Sequence, residues 1–208
     1  MPRVSRPHRR PLIVHPPEVT RGLARRLGVS HLIAGPSERV VWALFTFVNS
    51  FVTIAMLAGL AMIVRAPFVF PSLGPTAFLF FFNPRSPASA PRHAMYGHAI
   101  GLACGWGSLA LFGLLQSPSA MSGGVDLPRV LAAALSLAST GAFMILLKAV
   151  HPPAGATTLI VSLGIVTSIR HLLIIELAVA LLTLQAILIN RHAGIDYPLW
   201  ALRDRSSG

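Results

Sequence analysis

Long apolar runs alternate with short charged breaks along most of this chain. Four runs, residues 40 to 64, 94 to 116, 130 to 147 and 171 to 190, match the length of a helix that crosses a bilayer, about 20 residues. Within them the only Asp, Glu, Lys or Arg is Glu176. Pro36-Ser37-Glu38 predicts a capped start for the first helix, with Ser37 accepting a bond from an unpaired backbone amide. Gly97, Gly101 and Gly105 recur every four residues in the second run, and Ala134, Ala138 and Ala142 in the third. Each set falls on one helix face, so both predict seams where backbones approach closely in lipid.

Two further apolar stretches are too short and too interrupted for ordinary spans: FVFPSLGPTAFLFFFN, residues 68 to 83, and VHPPAGATTLIVSLG, residues 150 to 164. At an offset of 81, Pro71 aligns with Pro152, Gly74 with Gly155 and Thr76 with Thr157. Each stretch also lies between two full spans, which predicts an internal duplication. In each, an extended opening followed by a short helix would reach about 35 Å, enough to cross a hydrocarbon core of about 30 Å.

Composition places the whole in a membrane. Hydrophobic residues make up 54% and charged residues 11% of 208 residues, and mean hydropathy is +0.69. Soluble domains carry about 25% charged residues. The net charge of +11 would suit a nucleic-acid binder, but the cations cluster between apolar runs, so sorting by the membrane explains them and no nucleic-acid partner is expected. The lone Cys104 excludes an intrachain disulfide and any multi-cysteine metal site; no cofactor and no metal are expected. Residues 1 to 38 are basic and broken by proline, and lack the apolar core of a secretory signal. They read either as a disordered tail or as one with a short amphipathic helix, Val19, Leu23 and Leu27, on anionic lipid.

The positive-inside rule chooses between crossing and re-entrant stretches. Six crossings with the tail inside put 14 Lys and Arg inside and 3 outside, whereas four crossings give 12 and 5. Six fit better. Three crossings per copy invert the second copy relative to the first. The expected fold is thus all-α integral membrane, with two inverted repeats, each of two full transmembrane helices flanking one broken half-helix segment. The domain spans 39 to 200, with repeat 1 at 39 to 116, repeat 2 at 129 to 190 and a tail at 201 to 208. Both termini are expected to be cytoplasmic, with the chain in a bacterial inner membrane. The glycine seams also make a homo-oligomer plausible.

Unpaired backbone at mid-membrane must face protein or a polar cavity, so the two breaks are expected to meet. Gly74 and Gly155 allow close approach, Pro75 suits a first helical turn, Ala156 is small, and Thr76, Thr157 and Thr158 offer hydroxyls. Half-helix N-termini carry about half a positive charge each, which suits a small anion. A residue placed on either glycine is expected to fill the anion's space. His151 is open to three roles: a proton switch, an anion-attracting mouth, or a cap for backbone freed by Pro152 and Pro153. Pathway or gating candidates are Asn49, Thr53, Arg65, His98, Lys148 and Glu176, against duller readings as interhelical bonds, interfacial anchors and packing. No catalytic set is recognised, so no enzyme is expected. The rival readings are an accessory or structural subunit, or an embedded enzyme using His151.

The stretches PSLGPTAFLFF, APRHAMYGHAIG, KAVHPPAGATTLI and IDYPLW, in this order, resemble the HPP family of integral membrane proteins, whose name matches His151-Pro152-Pro153. The resemblance covers about residues 36 to 200. It implies a membrane permease or channel for a small anion, nitrite first, since some members are implicated in nitrite transport. The family is usually described with four transmembrane helices, two fewer than the crossings counted above. His93 stands where the family more often has Asn.

Overall fold

The structure is a computed structural model that describes residues 38 to 66 and 68 to 201. The basic tail with Val19, Leu23 and Leu27, the Ser37 cap and residues 202 to 208 lie outside the described residues. Seven α-helices occur among those described, without strands: α1 (Glu38–Val64), α2 (Leu73–Phe82), α3 (Pro91–Leu111), α4 (Ala120–Gly123), α5 (Leu127–Leu146), α6 (Ala154–Ser162) and α7 (Ile169–His192).

Three of them, α1, α5 and α7, are long and apolar enough to cross a membrane. Their outward faces are what lipid requires. On α1, Leu44, Phe47, Phe51, Met56, Met62 and Ile63 are all more than half exposed, and a contiguous apolar face of this size would be untenable in water. α3, also expected as a span, has 21 residues but is less apolar, carrying Arg92, His93, Tyr96 and His98 in its first half. It ends at Leu111 rather than Gln116 because Gly113, at φ 69°, turns the chain and Leu114 N–H closes onto the Leu109 carbonyl. α5 starts at Leu127, earlier than expected, because the Asp126 side chain accepts from the Arg129 amide at 2.9 Å and Pro128 fits the first turn.

The two broken segments follow one local plan. Arg65 and Lys148, the only non-glycine residues with positive φ among those described, both sit at 51° just past α1 and α5. An extended stretch follows, then a turn at Pro71-Ser72 or Pro152-Pro153, then the short helix, so the aligned positions Leu73 and Ala154 both start a helix. Lys148 closes α5 in a Schellman turn, its amide on the Ile145 carbonyl and the Ala149 amide on Met144. A side chain in this left-handed region costs about 1 to 2 kcal/mol relative to glycine. Arg92 offsets part of that by donating to the Lys148 and Leu147 carbonyls at 3.1 and 3.3 Å.

α3 is the central element. Gly97, Gly101 and Gly105 are buried against the second broken segment, as the seam predicted. A Cβ on Gly97 would lie 2.6 Å from His151 Cβ, one on Gly101 2.8 Å from the Ala154 carbonyl oxygen, and one on Gly105 2.8 Å from the Thr158 oxygen. The contacts rise together along both chains, so α6 runs parallel to α3. The alanine seam is not formed. Ala134, Ala138 and Ala142 face outward, and α5 instead buries Arg129, Ala132, Ser136, Thr140 and Met144. The reason is polarity: hydroxyls and a guanidinium need protein partners in lipid, whereas alanine does not.

Candidate functional site

Where the short helices begin, the fold brings together a buried chain of hydroxyls and imidazoles. Thr76 lies in the first turn of α2 and Thr157 in the first turn of α6, positions that align at the offset of 81. His98 of α3 stands between them, its Nε2 2.9 Å from Thr76 Oγ1 and its Nδ1 2.7 Å from Thr157 Oγ1. Thr76 Oγ1 also lies 3.3 Å from Nε2 of His151, whose Nδ1 is 2.7 Å from the Ala88 carbonyl oxygen. Each of these four side chains is fully buried. Beside them, Thr158 accepts from Thr140 of α5 at 3.1 Å.

The partners fix the proton positions. A carbonyl only accepts, so His151 carries its proton on Nδ1 and donates it to Ala88; its Nε2 must then accept, and the Thr76 hydroxyl is the donor at hand. That leaves the Thr76 oxygen to accept from His98 Nε2–H, and His98 Nδ1 to accept from the Thr157 hydroxyl. This is the one arrangement in which every member is satisfied. The Ser72 carbonyl, 3.2 Å from Thr76 Oγ1, competes for the same hydroxyl proton. The imidazole centroids are 5.1 Å apart. Two positive charges at that separation repel by about 3 kcal/mol at an effective dielectric of about 20, so simultaneous protonation is strongly disfavoured.

Several further hydroxyls are buried without partners. Ser72 Oγ, one turn before Thr76, is fully buried and unpaired among the described residues, as is Thr53 Oγ1 of α1. A buried unpaired hydroxyl costs about 1 to 3 kcal/mol, so its position demands an explanation.

The remaining expected site residues are placed differently. Gly74 and Pro75 lie on the exposed side of α2, and a Cβ on Gly74 would meet nothing within 4 Å. Gly155 and Ala156 are half-buried, and a Cβ on Gly155 would meet only Leu137 Cδ1, at 3.4 Å. The close approaches in the fold belong instead to Gly97, Gly101 and Gly105. Arg65 and Lys148 are exposed, away from the buried chain. Asn49 turns back to bond the Phe45 carbonyl of its own helix. Glu176 is half-buried on α7 with one carboxylate oxygen unpaired and makes no ion pair with Arg170 among the described residues.

Nothing local in HAIG separates a packing histidine from a bridging one, so sequence does not single out His98. The IDYPLW motif forms a latch. Tyr197 is fully buried, its hydroxyl donates to the Ser89 carbonyl, and its ring meets Phe80 edge-on. Burial pushes that hydroxyl above the usual tyrosine range, so it remains a donor. The Arg92 amide donates to the Trp200 carbonyl at 2.8 Å. The latch thus braces Ser89 and Arg92, which follow the Ala88 carbonyl that orients His151.

Long apolar helices around a buried polar centre built from two interrupted helices define an integral membrane protein with an internal polar site. A family model described as HPP, transmembrane region, matches residues 35 to 198. The chain belongs to the HPP transmembrane family. No curated protein and no solved structure matches it.

Proposed function

We propose that the chain is a permease or channel for a small monovalent anion, with nitrite the first candidate from the family resemblance. The observation that carries this reading is the buried cluster of neutral donors, Thr76, Thr157, Thr158, His98 and His151, at the first turns of two interrupted helices. Such donors, at helix N-termini whose dipole favours negative charge, bind an anion without a permanent charge, and moderate binding lets it leave. The unpaired Ser72 hydroxyl adds a donor beside Thr76. In the described state the donors satisfy one another, so an entering ion parts them and replaces their mutual bonds.

Chain direction supports two inverted copies with six crossings. The second broken segment starts beside Arg92, which holds the Leu147 and Lys148 carbonyls. It ends beside Arg129, which donates to the Ser162 and Pro118 carbonyls, while the Ala120 amide donates to Leu163. A re-entrant loop would start and finish at one end. For the first segment, Thr46 of α1 bonds the Phe81 carbonyl, so Val64 lies about 27 Å further along the α1 axis, and the chain after it must return that distance to reach Phe81. The bilayer is the expected surroundings, with both termini cytoplasmic.

Uptake of nitrite into liposomes holding the purified chain tests the reading, with protein-free liposomes subtracted because nitrous acid diffuses through lipid. Protein-dependent uptake, inhibited by a related small anion, is expected. Equal uptake with and without protein would defeat it and favour an accessory role.

A further inference from the structure

We propose that His98 and His151 form a single-proton site, shared through the Thr76 hydroxyl, which takes up one proton for each monovalent anion carried. This rests on the anion-permease reading and adds to it a residue pair, a stoichiometry and a direction of proton movement.

The neutral chain runs Thr157 O–H to His98 Nδ1, His98 Nε2–H to Thr76 Oγ1, Thr76 O–H to His151 Nε2, and His151 Nδ1–H to the Ala88 carbonyl. All donors point one way, and the carbonyl blocks the far end. A proton added to His98 makes both its nitrogens donors, to Thr157 and Thr76. If His98 Nε2 then passes its proton to the Thr76 oxygen and Thr76 passes its own to His151 Nε2, the charge has moved to His151 and no atom is left with an extra proton. The excess proton thus has two resting places joined by one hydroxyl, and the 5.1 Å ring separation keeps a second proton out. His151 Cβ is seated against Gly97 of α3, the same helix that carries His98.

Other titratable groups are committed or remote. On α3, Arg92 is bound to the Leu147 and Lys148 carbonyls, and His93 Nδ1 lies 3.1 Å from the Val150 oxygen. On α5, Arg129 is held at the far end by carbonyls. α2 and α6 carry no titratable residue. On α7, Arg191 bonds the Tyr197 carbonyl and His192 the Leu188 carbonyl, while Glu176 has no bond to either imidazole. Asp196 and Tyr197 lie in the latch, and Arg65, just past α1, is exposed, as are Arg170 and His171 at the start of α7. A charged His98–His151 pair therefore has no fixed counter-ion bonded to it, and an entering anion supplies the missing one.

The test uses the full chain in liposomes with a potassium–valinomycin clamp and an internal pH dye. Nitrate serves as the probe beside nitrite, because its strong conjugate acid does not carry protons through lipid. The parent should move one proton per anion. His98→Gln and His151→Gln should each uncouple the proton while retaining residual anion flux, since Gln preserves hydrogen bonding, and His93→Gln should keep the ratio at one. Two protons per anion, or coupling retained in both site variants, would overturn the proposal. Anion flux without protons in the parent would overturn it while leaving the permease reading standing. Should the parent carry no anion, that reading fails. Nitrogen-15 spectra of the histidine rings in nanodiscs then decide the pair separately. The proposal requires His98 as the Nε2–H and His151 as the Nδ1–H tautomer, with one shared protonation step. Opposite tautomers or two independent steps would overturn it.

Discussion

At the scale of single residues, Thr76 is the node of the buried chain, because its one hydroxyl touches both imidazoles while Thr157 touches only His98. Replacing Thr76 with Val should therefore slow anion uptake more than replacing Thr157. A hydrogen bond is worth about 0.5 to 1.5 kcal/mol net, so initial uptake rates should fall by roughly 2-fold to 10-fold for Thr157→Val and further for Thr76→Val. Equal rates in the two variants would remove Thr76 from its central position. The Tyr197 latch makes a separate prediction. Tyr197→Phe leaves the Ser89 carbonyl without its donor and should lower stability by about 1 to 3 kcal/mol, read as a loss of melting temperature in detergent. A hydroxyl whose titration is raised in the folded state contributes fully below its unfolded value of about 10, and that contribution fades only as pH rises through the folded value. The Tyr-to-Phe difference should thus stay constant from pH 5 to 9.

At the scale of helices, the packing of α3 on α6 depends on absent side chains. A methyl on Gly101 would sit 2.8 Å from the Ala154 carbonyl oxygen, a backbone atom that cannot move without shifting the helix that presents Thr157. Gly101→Ala should destabilise by about 1 to 3 kcal/mol and suppress uptake, measured by thermal unfolding and flux. Ala138→Leu on the outward face of α5 should change neither, since the added side chain meets lipid. If the two variants behave alike, the assignment of inner and outer faces is mistaken. The alanine spacing misled because period four marks a helix face without saying which way it points. The pull of Thr140 toward Thr158, and of Arg129 toward the Ser162 and Pro118 carbonyls, decides that.

For the whole molecule, the described contacts sort the loops into two ends. Residues 84 to 93 gather with 147 to 151 and 191 to 200, whereas 117 to 129 gather with 162 to 164. Single cysteines at Ser86 and Ser122, in a background with Cys104→Ser, should accordingly be labelled from opposite sides of intact cells, with Ser122 external. Labelling of both from outside would defeat the six-crossing topology and return the short segments to re-entrant loops.

Sequence alone determined the membrane class, the long apolar helices and the two interrupted segments, because lipid imposes length and polarity rules that act locally on each stretch. The glycine seam was legible for the same reason, since only close backbone contact explains glycine every four residues in an apolar helix. Which residues form the polar centre was decided by tertiary structure. His98 and Thr76 are 22 positions apart, and His98 and Thr157 are 59 apart. No periodicity encodes such pairs. The exposure of Gly74, the outward turn of Ala138 and the bracing of Ala88 by the IDYPLW latch likewise depend on how the helices rotate about their axes. That rotation is set when buried hydroxyls and imidazoles find one another across the bundle, a condition on the whole chain that no single segment carries.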